Sequence, residues 1–269
     1  MRLYERLAAH LIGTPLQKPA EWLRRLKGTP GKKKHPELAE IYAEEGRIDE
    51  VLGRVIGPGT HCIDIGCHLG VYLQKLVTLA PQGRHWAFEP MPEKAKWLKR
   101  KYPHVSVLQM ALGDSTGSAS FFVCEQQTAY SGLAPRDVHG PNRPVQVERR
   151  TLDDVVPDDA GVGFIKLDVN GGELAVLRGA RKLLLRDRPI VLLGCTQQGL
   201  SDYGASAEEV HRFVVDEVGY GIYLPKDFLA AGEPLSAKSL RNSMQYPFDA
   251  FNYVLEPEGV PAQGGAGQS

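Results

Sequence analysis

Neither sign of charge prevails in this chain. Its 32 lysines and arginines are matched by 32 aspartates and glutamates, which argues against a nucleic-acid binder that works by global charge, though not against a local patch. Cysteine is scarce. Cys62, Cys67, Cys124 and Cys195 include no Cys-x-x-Cys pair, and a buried thiol is the ordinary reading for Cys62 and Cys67, on and just after a strand. No apolar run reaches membrane-spanning length, and neither a signal peptide nor an internal repeat is evident. The expectation is therefore a cytoplasmic protein without a membrane span. What is present suffices for a core. With 42% hydrophobic and 24% charged residues over 269 positions, the chain suits one large α/β domain with an extension, or two small domains, rather than wholesale disorder.

The most informative stretch is Cys62-Ile63-Asp64-Ile65-Gly66-Cys67-His68-Leu69-Gly70. An apolar run carrying an acid turns on one glycine, then meets a second before an amphipathic segment over 71–80. This is the pattern of a strand, a tight loop and a helix. Glycines let the backbone approach a ligand closely, and the helix N-terminus behind them offers unpaired N–H groups. Glu89 ends the next apolar run, His85-Trp86-Ala87-Phe88. An acid at the tip of the second strand of an α/β unit accepts hydrogen bonds from ribose hydroxyls. The pair points to a nucleoside cofactor.

Spacing narrows the choice. A dinucleotide site wants Gly-x-Gly-x-x-Gly, so that a pyrophosphate can sit on the helix N-terminus. Here the third glycine is missing and the loop reads Asp64-x-Gly66-x-x-x-Gly70. That looser loop suits S-adenosyl-L-methionine, which has no phosphate to cradle and wants carbonyls and acids near its sulfonium and amino-acid tail. The bland alternative is a strand-turn-helix that needs glycine only to turn; an NAD-dependent oxidoreductase is the more distant one.

Along the chain, Leu3, Leu7 and Leu11 fall at helical spacing, and Trp22 and Leu26 lie among Arg24, Arg25 and Lys27. Lys32, Lys33 and Lys34 follow. A basic amphipathic arm for a membrane surface or an acidic partner is one reading. A helix packed on the domain, followed by a solvated linker, is the favoured one. Residues 36–56 place Leu38, Ile41, Tyr42, Ile48, Leu52 and Val55 on one helical face. Strands are expected at 60–65, 84–88, 105–110, 163–168, 190–194, 220–224 and 250–255, with helices at 69–79, 92–102, 172–185 and 206–219. Ser206 and Glu209 have the spacing of a capping box. The alternation implies a largely parallel sheet covered on both faces.

Two stretches break it. Between the third and fourth main strands lie roughly fifty residues, far beyond an ordinary connection. They contain two further strand patterns, at 119–123 and 144–147, around a loop over 126–143 rich in glycine and proline, of the kind that serves a site. Residues 226–245 are also irregular. Both stretches are expected over the carboxyl ends of the strands, where open α/β sheets bind ligands. The boundaries read as a helical extension over 1–56, a main domain over 57–255 and a disordered tail over 256–269.

The fourth main strand ends in Ile165-Lys166-Leu167-Asp168-Val169-Asn170-Gly171-Gly172-Glu173, which brings Asp168 to the carboxyl edge beside the cofactor loop. Methyl transfer to an alcohol is an in-line displacement at a sulfonium carbon; acceptor oxygen, carbon and sulfur must align, and the hydroxyl proton must leave. Asp168 is placed to accept that proton or orient the acceptor. The competing reading is an acid that caps the next helix or holds the cofactor. His68 suits loop and cofactor contacts better than base chemistry, and for Glu173 the bland reading is favourable charge in a first helical turn.

These residues resemble the FkbM-type methyltransferases, in particular a subset with a Cys-His variant of the glycine loop. The likeness runs from about 35 to 254. It includes His35-Pro36-Glu37-Leu38, the loop at 62–70, Ala80-Pro81 and Ala87-Phe88-Glu89-Pro90. It continues through Ala111-Leu112-Gly113-Asp114, Tyr130-Ser131-Gly132-Leu133, Thr151-Leu152-Asp153 and the segment 165–173. It implies a class I, Rossmann-like α/β fold whose seven-stranded, mostly parallel sheet has a reversed final strand and helices on both faces. It implies an S-adenosylmethionine-dependent O-methyltransferase that leaves S-adenosyl-L-homocysteine and acts on the hydroxyl of a small molecule, a sugar or a secondary metabolite. Asp64, Gly66, Cys67, His68 and Gly70 would then surround the methionine part of the cofactor. Glu89 and Pro90 would hold the ribose, and Met110 and Ala111 would lie along adenine. Tyr130 and Ser131 would approach cofactor or acceptor, with Glu173 beside the acceptor and Asp168 and Asn170 at the reacting centre. Neither a metal nor a nucleic acid is implied, and a homodimer is left open.

Two positions depart from the family. An acid is common where this chain has Asn170, and another near the end of the fifth strand, where it has Gly194. Neither residue can act as a carboxylate base, and their presence disfavours a divalent metal, which wants several converging oxygens. The alternative reading is therefore a catalytically weakened module of the same fold that still binds the cofactor.

Overall fold

A computed structural model of the chain describes residues 3–16, 34–135 and 140–259. It opens with helix α1 (Leu3–Leu11), a 3-10 turn at Pro36–Leu38 and helix α2 (Ala39–Val55). Then come β1 (His61–Ile65), α3 (Val71–Leu79), β2 (His85–Phe88), α4 (Pro92–Lys101) and β3 (Ser106–Leu108). The long insertion supplies β4 (Ala111–Leu112), β5 (Gly117–Cys124) and β6 (Asn142–Arg150). After α5 (Leu152–Val155) follow β7 (Val162–Leu167), α6 (Glu173–Arg178), α7 (Arg181–Asp187) and β8 (Ile190–Gly194). The chain continues through α8 (Gln197–Asp202), α9 (Ala207–Arg212), β9 (Tyr220–Tyr223), α10 (Pro225–Leu229), α11 (Ala237–Ser243) and β10 (Asn252–Pro257).

Seven strands form one sheet in the order β3-β2-β1-β7-β8-β10-β9. The pairs from β3 to β8 are parallel, and β10, last in sequence, runs against both β8 and β9. This is the seven-stranded, mostly parallel sheet with a reversed final strand that the resemblance implies. Its strands are apolar on both sides because helices cover both faces. Ile63, Ile165, Val191 and Tyr253 belong to one cluster, while Cys62, Phe164, Leu192 and Val254 pack with Ile48, Val51 and Leu52 of α2 on the other. Helix α2 is thus part of the core, although it falls within the expected N-terminal extension. β4, β6 and β5 form a separate small sheet in that order.

Several expectations need correction. Leu7 of α1 is 62% exposed, whereas Glu5, Ala9 and Ile12 are buried, so the leucine spacing does not mark the packed face. The Trp22, Leu26 and basic residues of 17–33 lie outside the described residues. The helix expected over 172–185 divides after Arg178. The backbone of Gly113 crosses so close to Gly179 that a Cβ there would stand 2.0 Å from Gly113 O, and Gly179 O accepts a bond from Asp153 N–H. The capping box of Ser206 and Glu209 forms, but the helix loosens into a π turn over Phe213–Glu217. Residues 226–245 are only partly irregular: α10 and α11 form there, with irregular chain between them, and pack on α2 and α9. β10 continues to Pro257, into the expected tail, and residues 260–269 lie outside the described residues. No helix among the described residues is long and apolar enough to cross a membrane.

Candidate cofactor and active site

The sheet reverses its direction of growth at β1, with β2 and then β3 on one side and β7 and then β8 on the other. A crevice at the carboxyl ends of the strands is the usual consequence, and it is where such sheets bind ligands. Gly66 ends β1 at φ +81°, and the room a Cβ would need is taken by Asp168 O, 2.0 Å away. A Cβ at Gly70, at φ +83°, would meet Leu98 of α4 and Tyr102 just past its end. Both glycines of the motif therefore answer first to protein neighbours: one lets the ends of β1 and β7 close together, the other seats α3 against α4. The ligand crevice is a product of that closure.

One cavity opens over the ends of β1 and β2 and beside β4. It holds about 610 Å³ of atom-free space, within the range of ordinary small-molecule sites. Phe88, Met110, Ala111, Leu112, Phe121 and Leu133 give it apolar walls, and Glu89, Pro90 and Ser131 also line it. Glu89 is buried; Oε2 accepts from His68 N–H and Oε1 from Met91 N–H, each at 2.9 Å. A carboxylate has about four acceptor positions, so each oxygen keeps one for a ligand hydroxyl. Burial pushes this carboxyl up to about 7, against the pull of Lys94. Ser131 Oγ accepts from Cys124 N–H at 3.1 Å.

A second cavity shares Gly66, His68, Ala129, Asp168 and Asn170 with the first and adds Asp64, Cys67, Val71, Tyr72 and Lys166. Asp64 is buried, its carboxyl is raised to about 7 by burial, and its Oδ2 has no hydrogen-bond partner. The Cys67 thiol donates to Phe88 O at 3.4 Å and is pushed up by burial, a packed rather than a reactive sulfur. His68, at φ +50°, is lowered to about 4 by burial and then by Lys94, so its imidazole is neutral. Asp168 stands at the junction of the two cavities with its side chain 53% exposed, and Lys166 Nζ lies 3.4 Å from its Oδ2. A Cβ at Gly194 would come within 2.8 Å of Asp168 Cγ. The missing side chain at 194 is the space Asp168 occupies.

Other expected site residues are placed differently. Asn170, at φ +60°, donates through Nδ2 to Ala129 O at 2.7 Å and Ser131 O at 3.1 Å; its amide pins the long loop. Glu173 Oε1 accepts from Val169 and Gly171 N–H, both at 3.0 Å. It closes its own turn and lines neither cavity. Tyr130 lines neither, although its neighbours Ala129 and Ser131 do. Four residues had no role in the sequence reading: Lys166, Lys94, Thr128 and Tyr203. A lysine inside the apolar run of β7 was the visible signal for Lys166. Tyr203 Oη accepts from Leu133 and Ala134 N–H at 2.6 and 3.1 Å, which no local pattern announces.

The donor set fits S-adenosylmethionine. Asp64 offers a buried acceptor without a partner, Glu89 keeps free acceptor positions, and acids raised by burial suit a ligand that brings positive charge. Among the described residues, no three His, Cys, Asp or Glu side chains gather as metal ligands.

Comparison with known proteins agrees with this geometry. Residues 64–222, well over half of the chain, match the family model described as Methyltransferase FkbM domain. No curated protein matches significantly. Among solved structures, the chain is similar to methyltransferase FkbM from Methylobacillus flagellatus KT, 17% identical over 75% of this chain and 44% of that one, with a TM-score of 0.44. It is similar to a putative rRNA-methylase from Clostridium thermocellum at 12% identity, 79% and 94% coverage and TM-score 0.45. A third is geranyl diphosphate methyltransferase in complex with SAM, at 14%, 84%, 89% and 0.41. This chain spans less than half the length of the Methylobacillus protein.

Proposed function

The chain belongs to the FkbM family of S-adenosylmethionine-dependent methyltransferases, and on that premise we propose that it methylates a hydroxyl of a small acceptor, a sugar or a secondary metabolite. The observation that carries this reading is the Asp168 carboxylate, half exposed at the end of β7 where the two cavities meet, and paired with a buried lysine. Glu89 would hold the ribose, with Pro90, Met110, Ala111 and Ser131 around the nucleoside. Asp64 would take the amino group of the methionine part, in the loop of Gly66, Cys67, His68 and Gly70.

The cofactor supplies an electrophilic methyl group. Asp168 would accept the proton that the acceptor hydroxyl loses as its oxygen takes the methyl group and the electron pair of the carbon–sulfur bond goes to sulfur. Lys166 holds that carboxylate in place. Asn170 keeps the 128–131 turn against the site, where an acid could not donate to two carbonyls.

Labelled S-adenosylmethionine offered with glycosylated and polyketide alcohols should give methylated product. Asp168→Asn should lower kcat about 10²–10³-fold, the scale of a lost general base, with affinity for S-adenosylhomocysteine within about threefold of the parent. An unaltered rate in that variant removes Asp168 from proton transfer, and no binding of S-adenosylhomocysteine overturns the reading. Tight binding without turnover on any acceptor is the outcome of the alternative, a silent module, which rests on Asn170 and Gly194.

A further inference from the structure

Helix α1 lies outside the residues matched by the family domain, yet it delivers a carboxylate to the edge of the cofactor crevice. Glu5 is only 2% exposed. It accepts a hydrogen bond from Thr128 Oγ1 and stands 3.7 Å from Lys94 Nζ and 3.8 Å from His68 Nε2. Lys94, 1% exposed, donates to the same threonine hydroxyl at 2.8 Å, and His68 Nε2 lies 3.1 Å from it. A hydroxyl has one hydrogen to give and two lone pairs. With the hydrogen on Glu5 and one lone pair on Lys94, the remaining lone pair assigns the proton of the neutral His68 ring to Nε2. One carboxylate from α1 thereby sets the orientation of Thr128 and the tautomer of His68.

The helix is fastened where it needs to be for this. Ala9 and Ile12 pack on Leu69 of the glycine loop with Trp97 beside them. The His10 and Trp97 rings are 5.1 Å apart. Lys101 Nζ donates to Ala9 O at 3.3 Å and Ile12 O at 2.5 Å, satisfying carbonyls at the end of α1 that the helix leaves open. Without Glu5, Lys94 would be a buried cation left chiefly to the charge of Glu89, and the demand on Glu89 would compete with a ribose.

We propose that Glu5 is a positioning residue of the cofactor site: from outside the matched domain it fixes Thr128, and with it the 128–131 turn and the His68 ring that wall both cavities. The inference rests on the cofactor reading given above. Calorimetric titration of the full chain with S-adenosylhomocysteine tests it. Glu5→Ala and Thr128→Val should each weaken binding about tenfold, about 1.4 kcal/mol, and the double variant should be no weaker than the worse single one, because both break one network. Glu5→Gln should lose less, since its amide oxygen still accepts from Thr128. It also decides the matter if the alanine variant fails to fold. Unchanged affinity in these variants alongside a lowered Tm, or additive losses in the double variant, overturns the proposal and leaves α1 a merely structural helix. Failure of the parent chain to bind overturns the cofactor reading, and this proposal with it.

Discussion

Asn170 is a side chain whose exchange for the family's usual acid has a definite physical cost. Its left-handed backbone is one that asparagine tolerates better than most residues, and both of its bonds are donated, to Ala129 O and Ser131 O. Asn170→Asp puts a carboxylate against two carbonyls and removes both donors. The expected result is a loss of about 1–3 kcal/mol in stability and faster proteolysis within 126–135, with no gain in turnover; a faster enzyme would show that the position wants a base after all. The acids at 64, 89 and 168 were legible in the sequence because each sits at a strand end beside glycine or a turn. Lys166 was less so, since its partners are Asp168, two residues on, and Asp64, its cross-strand neighbour. Glu5 was hidden altogether: its partner Thr128 is 123 residues away, and nothing local marks a buried acid on a leucine-spaced helix.

Among the elements, the β1 turn and the end of β7 are held so close that a single methyl group separates a tolerated from a damaging change. Gly66→Ala combines a left-handed backbone with a Cβ 2.0 Å from Asp168 O, and should lower stability on the order of 2–4 kcal/mol. Gly59→Ala, where nothing lies within 4 Å, is the matched control and should leave the thermal midpoint within a degree or so, about ±0.5 kcal/mol. Equal midpoints for the two variants would mean that the strand ends can part without cost. Strands were readable in the sequence because parallel, doubly covered strands are continuous apolar runs bounded by turns. The break at Gly179 and the π turn at Phe213–Glu217 were not, because both arise from neighbours: Gly113 crossing one helix end, and core packing of Phe213 and Val214 in the other. The leucine stripe of α1 misled for the same reason, since Glu5, Ala9 and Ile12 found partners and Leu7 did not.

For the molecule as a whole, the buried carboxyls at the edge of the sheet couple stability to its ligand through protons. Asp64, Glu89 and Glu173 are each raised to about 7 by burial, from unfolded values of about 4. A group with a raised folded value binds more protons when folded. The stability it contributes is complete below about 4 and is lost as pH rises to about 7. His68 and His85, both lowered by burial, act in the opposite sense below about 6.5 and soften the slope there. A cation bound beside Asp64 favours its ionised form, so the cofactor should displace protons on binding. Calorimetric titrations at about pH 6 in two buffers of different ionisation enthalpy should therefore give heats that differ by the protons released, with affinity rising toward about pH 7. S-adenosylmethionine carries a sulfonium that S-adenosylhomocysteine lacks, and should release more. Identical heats in both buffers, or proton uptake, would place the positive end of the cofactor away from Asp64 and the buried acids of this edge.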